Sequence, residues 1–176
     1  MNSILRTYRW LSHYMFSNTL HGTHSPFVYS FLQHVVYQTS HLQNKKLGLL
    51  YRVAKFAPNK FMFCINADEN SLVTLSNLNK TIITNAKEMP NEAFGLVYFG
   101  EHLHAAEVMD LYHQYKHNTN SESIFVFSNL LESNTKNKVW QHLCKDEKNI
   151  ISIDFLDTGI MFFNQKKPKE HFRIYY

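Results

Sequence analysis

The chain predicts an α/β fold: a three-layer, mostly parallel sheet that ends in an antiparallel hairpin and follows a helical arm. Three observations carry this. Up to Pro58 apolar residues recur at helical spacing, and beyond it short β-branched and aromatic runs alternate with helical segments. Such alternation calls for crossover connections and therefore a mostly parallel sheet. Near the end, Ile150–Leu156 and Ile160–Asn164 are joined only by Asp157-Thr158-Gly159, too short a link for a parallel crossover. Residues 1–57 are assigned to the arm and 58–176 to the α/β domain.

The arm reads as three helices. In the first, Ile4, Leu5, Tyr8, Leu11 and Met15 share a spacing, with Arg6, Arg9 and His13 on other faces. Ser25-Pro26 is a helix start, a hydroxyl N-cap followed by proline at the first helical position. Phe27, Phe31 and Val35, with Val28, Leu32 and Val36, give this second helix a wide apolar face. The third runs from Lys45 to Ala57, with Leu47, Leu50, Tyr51 and Ala54 inward, and stops at Pro58. Strands follow at Phe61–Ile65, Thr81–Thr84 (at an edge), Phe94–Phe99 and Ser123–Phe127. Between them lie a helix capped by Asp68, one carrying Val108, Leu111, Tyr112 and Tyr115, and one over Ser133–Glu147.

Composition narrows the function classes. The 176 residues hold 44% hydrophobic side chains, enough for a core, and only 5 glycines where average usage would give roughly 12. Gly22, Gly48, Gly95, Gly100 and Gly159 are too scattered for any glycine-rich phosphate or dinucleotide loop. The 2 cysteines, Cys64 and Cys144, form no CxxC pair and read as buried hydrophobes of a reducing compartment. Arg6, Arg9 and His13 interrupt any signal-peptide core, and no apolar run is long enough to span a membrane, so the expected location is the cytoplasm. The net charge of +4 gathers at Arg6 and Arg9 and in a tail with Lys166, Lys167, Lys169 and Arg173. No nucleic-acid-binding motif accompanies these clusters, which read as a solvated face and a soluble tail.

Three stretches resemble a bacterial group of class I S-adenosylmethionine-dependent methyltransferases. They are His21-Gly22-Thr23-His24-Ser25-Pro26-Phe27, Phe94–Phe99, and Ile153–Phe163 ending in Lys169-Glu170-His171-Phe172-Arg173-Ile174. The resemblance implies a Rossmann-like sheet whose last hairpin inserts one antiparallel strand, and a cofactor held where the first strand ends. Three departures stand against that activity. The family's glycine-rich turn is replaced by Ile65-Asn66-Ala67-Asp68-Glu69-Asn70-Ser71, which has no glycine to let a backbone close on a ligand. About thirty residues, from Ile65 to Phe94, leave room for one short strand–helix unit at Thr81–Met89 where the family has two, so the sheet is expected to be reduced in strand number. Where relatives resembling catechol O-methyltransferase place metal-binding carboxylates, the sequence has Gly100 and Ser128-Asn129, a poor set for a hard cation.

The expected function is accordingly a methyltransferase-like protein that has lost S-adenosylmethionine binding and catalysis. It would serve as an interaction or scaffolding module, with a protein partner or a second copy held through the arm. In this reading no residue is catalytic, cofactor-binding or metal-binding. The alternative is an active S-adenosylmethionine-dependent methyltransferase acting on a small molecule or macromolecule, with Asn66, Asp68 and Glu101 on the cofactor and His102 or His104 as general base. His21 and His24 lack further zinc ligands and fit a connector, and His113 and His117 fit a solvated helix face. Cys144, beside Trp140 and Leu143, reads as inert, and Asp157 before Thr158-Gly159 as turn chemistry. The aromatic stripe Tyr8, Trp10, Tyr14, Phe16 would leave a large apolar surface if the arm did not bury it; with Arg6 and Arg9 it could also meet a second copy or a membrane surface.

Overall fold

The computed structural model describes residues 3–18, 22–39, 42–58, 60–85, 94–164 and 166–176, with side chains from residue 6 onward. His21 and the segment 86–93, including the end of the expected Thr81–Met89 unit, lie outside the described residues. Helix α1 spans Ser3–Phe16. Helix α2, Pro26–Phe31, continues as a π-helical turn over Leu32–Val36, and α3 covers Lys45–Phe56. Then follow β1 (Phe61–Ile65), α4 (Glu69–Ser76), β2 (Thr81–Ile83), β3 (Leu96–Phe99), α5 (Ala105–Tyr115), β4 (Ile124–Phe127), α6 (Asn134–Leu143), β5 (Ile151–Asp154), β6 (Gly159–Phe162) and β7 (Glu170–Arg173).

One seven-stranded sheet takes the order β2-β1-β3-β4-β6-β5-β7. Strand β6 alone is antiparallel to its neighbours β4 and β5; the other pairings are parallel. The α/β class, the edge position of Thr81–Ile83 and the terminal hairpin are therefore as expected. The reduced strand count is not. The supposed soluble tail supplies β7, in register with β5 from Ile151↔Glu170 to Asp154↔Arg173. Phe172 and Ile174 are buried while Glu170, His171 and Arg173 are not, the period-2 alternation of a half-buried strand. Asn18 N–H donates to Arg173 O at 2.7 Å, so the α1–α2 link covers part of this edge.

Strict alternation along each strand divides the core into two layers. On one face Met62, Cys64, Tyr98, Val126, Ile153 and Phe162 pack against α2, the π turn, α3 and α4. On the other Phe63, Val97, Phe99, Phe125, Phe127 and Met161 meet α5 and α6. Residues 26–57 thus share one apolar core with the sheet. Within the π turn Leu32, Val35 and Val36 are all buried.

Local expectations fail in four places. Ser25 is the N-cap of α2, but its hydroxyl makes no capping bond; its carbonyl accepts from Tyr29 N–H at 2.9 Å. In α3, Leu49, Leu50, Val53 and Ala54 are buried whereas Leu47 and Tyr51 are only partly so, and Arg52 also turns in to donate to the Tyr176 hydroxyl. His113 and His117 do not share a helix: α5 ends at Tyr115 and a 3-10 turn holds His117. Gly159 is a packing glycine rather than a turn glycine. A Cβ there would stand 2.6 Å from the buried Trp140 ring, and the left-handed residue of the turn is Leu156, φ 74°.

Candidate functional site

Open α/β sheets bind ligands beyond the carboxyl ends of their strands, where the chain order reverses. Here that point lies between β1 and β3, since β2 lies on one side of β1 and β3 on the other. Asn66, Asp68, Glu101 and His102 all arrive there. Asn66 leaves β1 in the left-handed region, φ 47°, which folds the β1–α4 loop over the end of β3. Gly100 N–H donates to Ile65 O at 2.8 Å, and a Cβ on Gly100 would come within 2.3 Å of Asn66 O and 2.5 Å of the Ala67 backbone. The scarce glycine is used so that two loops of the protein can touch.

Beneath this contact the Glu101 carboxylate collects four donors. Tyr98 O–H donates to Oε1, as do Ser128 Oγ at 3.0 Å and Ser71 Oγ at 3.3 Å, and Asp68 N–H donates to Oε2 at 3.3 Å. Its backbone carbonyl accepts from Lys136 Nζ at 3.3 Å and Asn129 Nδ2 at 3.4 Å. Lys136, 2% exposed, also donates to Glu132 Oε2 at 3.0 Å. Burial, reinforced by the Glu101 charge, raises the Tyr98 hydroxyl and pushes the Cys64 thiol up to about 12, so both stay protonated. Asp68 caps α4, accepting from Ser71 N–H at 2.7 Å, as its position before the helix predicts.

The histidines stand apart from this chemistry. His102 and His104 are both exposed; His104 is the N-cap of α5, its N–H bonded to Glu107 Oε2 at 2.7 Å. Cys144 is raised to about 12, chiefly by burial, and fits the inert reading. Among the described residues no group of three or more His, Cys, Asp or Glu side chains could hold a metal, and no helix is long and apolar enough to cross a membrane. The four-donor network around Glu101 was only partly foreseeable. Tyr98 inside an otherwise apolar strand is a visible signal for a buried hydroxyl partner, whereas nothing in the sequence marks Lys136 as buried.

A second site lies at the same end of the sheet, beyond β5 and β7. Helix α1 docks there by its polar face. His13, 6% exposed, places Nε2 3.0 Å from Asp154 O and 3.4 Å from Asp154 Oδ1, while Ser17 Oγ sits 3.0 Å from Nδ1. Arg9 Nη1 donates to Leu130 O at 3.2 Å. Burial alone would raise the Asp154 carboxyl, but the hydrogen bond and charge of His13, with Leu156 N–H, hold it below the usual carboxylate range. Between α1, α6 and the strand ends remains a cleft of about 270 Å³.

This docking turns the apolar face of α1 outward. Tyr8, Met15 and Phe16 are 68%, 66% and 67% exposed, and Trp10, Leu11 and Tyr14 are exposed as well. Trp10 and Tyr14 stack at 5.8 Å, and Tyr14 meets Tyr175 edge-on at 5.2 Å. The stripe is surface, not core.

Comparison of the chain with protein-family models, with curated proteins and with solved structures finds no match in any of the three.

Proposed function

We propose that the chain is a methyltransferase-like protein that does not bind S-adenosylmethionine or transfer methyl groups, and that acts as a protein-interaction or scaffolding module through α1. The observation that carries this reading is the closure at Gly100. The Asn66 carbonyl and the Ala67 backbone lie against Gly100 with no room for a Cβ, and Glu101 spends its carboxylate on internal donors. The outward apolar face of α1 supports the interaction role, because six exposed large side chains on and around one helix form the kind of patch that marks a partner surface.

Isothermal titration of the full chain with S-adenosylmethionine tests the first half. No saturable heat is expected; micromolar binding would favour an active enzyme using Asn66, Asp68, Glu101 and His102 or His104. Sedimentation of the wild type and of Leu11→Glu over a concentration series tests the second. A mass that rises with concentration only in the wild type identifies a second copy as the partner, and a constant monomer removes the second copy as the partner.

A further inference from the structure

The cleft beyond β5 and β7 has more hydrogen-bond donors than the protein uses. Its wall includes Arg9, His13, Asn137, Gln141, Asp154 and Arg173. Arg9 gives one N–H to Leu130 O, leaving most of its five donors free. Arg173 projects from the end of β7, half-buried, and although its backbone is bonded to Asn18, its guanidinium makes no hydrogen bond or ion pair with a described residue. Asn137 is only 8% exposed, yet its Oδ1 accepts from Gln141 Nε2 at 3.2 Å while its amide N–H groups meet no described acceptor.

The carboxylates nearby are already answered. Asp154 holds His13 and accepts from Leu156 N–H at 2.7 Å. Asp157, which also acts on Arg9, pairs with Lys46 Nζ at 3.1 Å and accepts from Leu131 N–H at 3.0 Å. Two guanidinium groups and a buried amide therefore face one carboxylate, itself hydrogen-bonded to Leu156 N–H and beside His13, across a space of about 270 Å³. Guanidinium forks match the oxygens of a phosphate, and fixed amide donors suit an oxyanion. The volume lies just under the usual range of ligand pockets and suits a small guest.

We infer that this cleft binds the phosphate group of a small phosphomonoester between Arg9, Arg173 and Asn137. The site is separate from the closed β1–β3 crevice, and its occupancy does not depend on whether methyl transfer was lost. Helix α1 forms one wall, so a bound ester would also fasten that helix to the strand ends.

Amide chemical shifts of the full chain, titrated with glucose 6-phosphate, inorganic phosphate and uncharged glucose, test the inference. Saturable shifts centred on Arg9, Asn137 and Arg173 are expected with the ester and not with glucose. Equal affinity for inorganic phosphate would assign the site to the free oxyanion, still through the same residues. Arg173→Gln removes a side chain without an internal partner and should weaken binding at least about tenfold, the loss expected for a charge-assisted pair. Asn137→Asp keeps the acceptor for Gln141 but opposes an anion, and should weaken binding as well. The inference is overturned if neither phosphate probe gives saturable shifts, or if both variants, folded by their amide spectra, bind as the wild type does.

Discussion

Two places at one end of the same sheet have been treated oppositely. Beyond β1 and β3, the loops close on each other at Gly100 and every oxygen of Glu101 meets an internal donor. Beyond β5 and β7, two arginines and an amide line an open cleft, and a helix rests on polar contacts with its apolar face turned outward. The position of a site in a fold does not decide whether it holds a ligand; the side chains that could satisfy the protein itself decide it. Where acceptor and donors come from the same chain the crevice becomes core, and where donors outnumber the acceptors it stays open.

The largest effect should come from breaking the closed side. Gly100→Ala drives a Cβ into backbone atoms that cannot swing away, and should cost about 3 kcal/mol in urea unfolding, the upper range for overpacking. A near-neutral result would mean that the Asn66 loop yields easily and the crevice can open. Glu101→Ala removes the shared acceptor of the Tyr98, Ser71 and Ser128 hydroxyls and the Asp68 N–H, and should cost about 2 kcal/mol by the same measurement; Glu101→Gln, which keeps an acceptor, should recover roughly half.

On the open side the effects are smaller and depend on pH. Asp154 titrates below its ordinary value of 3.8 in the folded chain, so the unfolded chain takes up its proton first as pH falls. Its contribution is complete above that ordinary value and disappears as pH drops through the lower folded one. Asp154→Asn should flatten the acid branch of a stability–pH curve, and an unchanged branch would remove the His13–Asp154 pair from the account of α1 docking. The smallest effect belongs to the outward face. Leu11→Gln should change unfolding stability by less than about 0.5 kcal/mol, as expected for a surface substitution, whereas a core position would lose several times more.

Much of the sheet was legible because its inner strands are continuous apolar runs such as Phe61–Ile65 and Ile124–Phe127, and because the Asp157–Gly159 link is too short for a crossover. Strand β7 was hidden by Lys169, Glu170, His171 and Arg173, which read as a solvated tail although Phe172 and Ile174 carry the alternation of an edge strand. The orientation of α1 was not legible from periodicity. Its apolar stripe predicts an inward face, but the helix is placed by Arg9 and His13, whose partners Leu130 and Asp154 lie more than a hundred residues away. At the closed site Asn66, Asp68 and Glu101 were identifiable as polar groups at strand ends, but their use was not. Whether a carboxylate faces a ligand or its own chain depends on Tyr98, Ser71 and Ser128 converging on it, a three-dimensional fact with no local signature.

The closed crevice is tested most directly by following the backbone amides of Asn66, Ala67, Asp68, Gly100 and Glu101 while the full chain is titrated with S-adenosylmethionine. These amides are predicted to stay in place up to millimolar cofactor, because the loops already contact each other and Glu101 is fully engaged. Saturable shifts at these five amides would contradict the account and restore this end of β1 and β3 as a cofactor site.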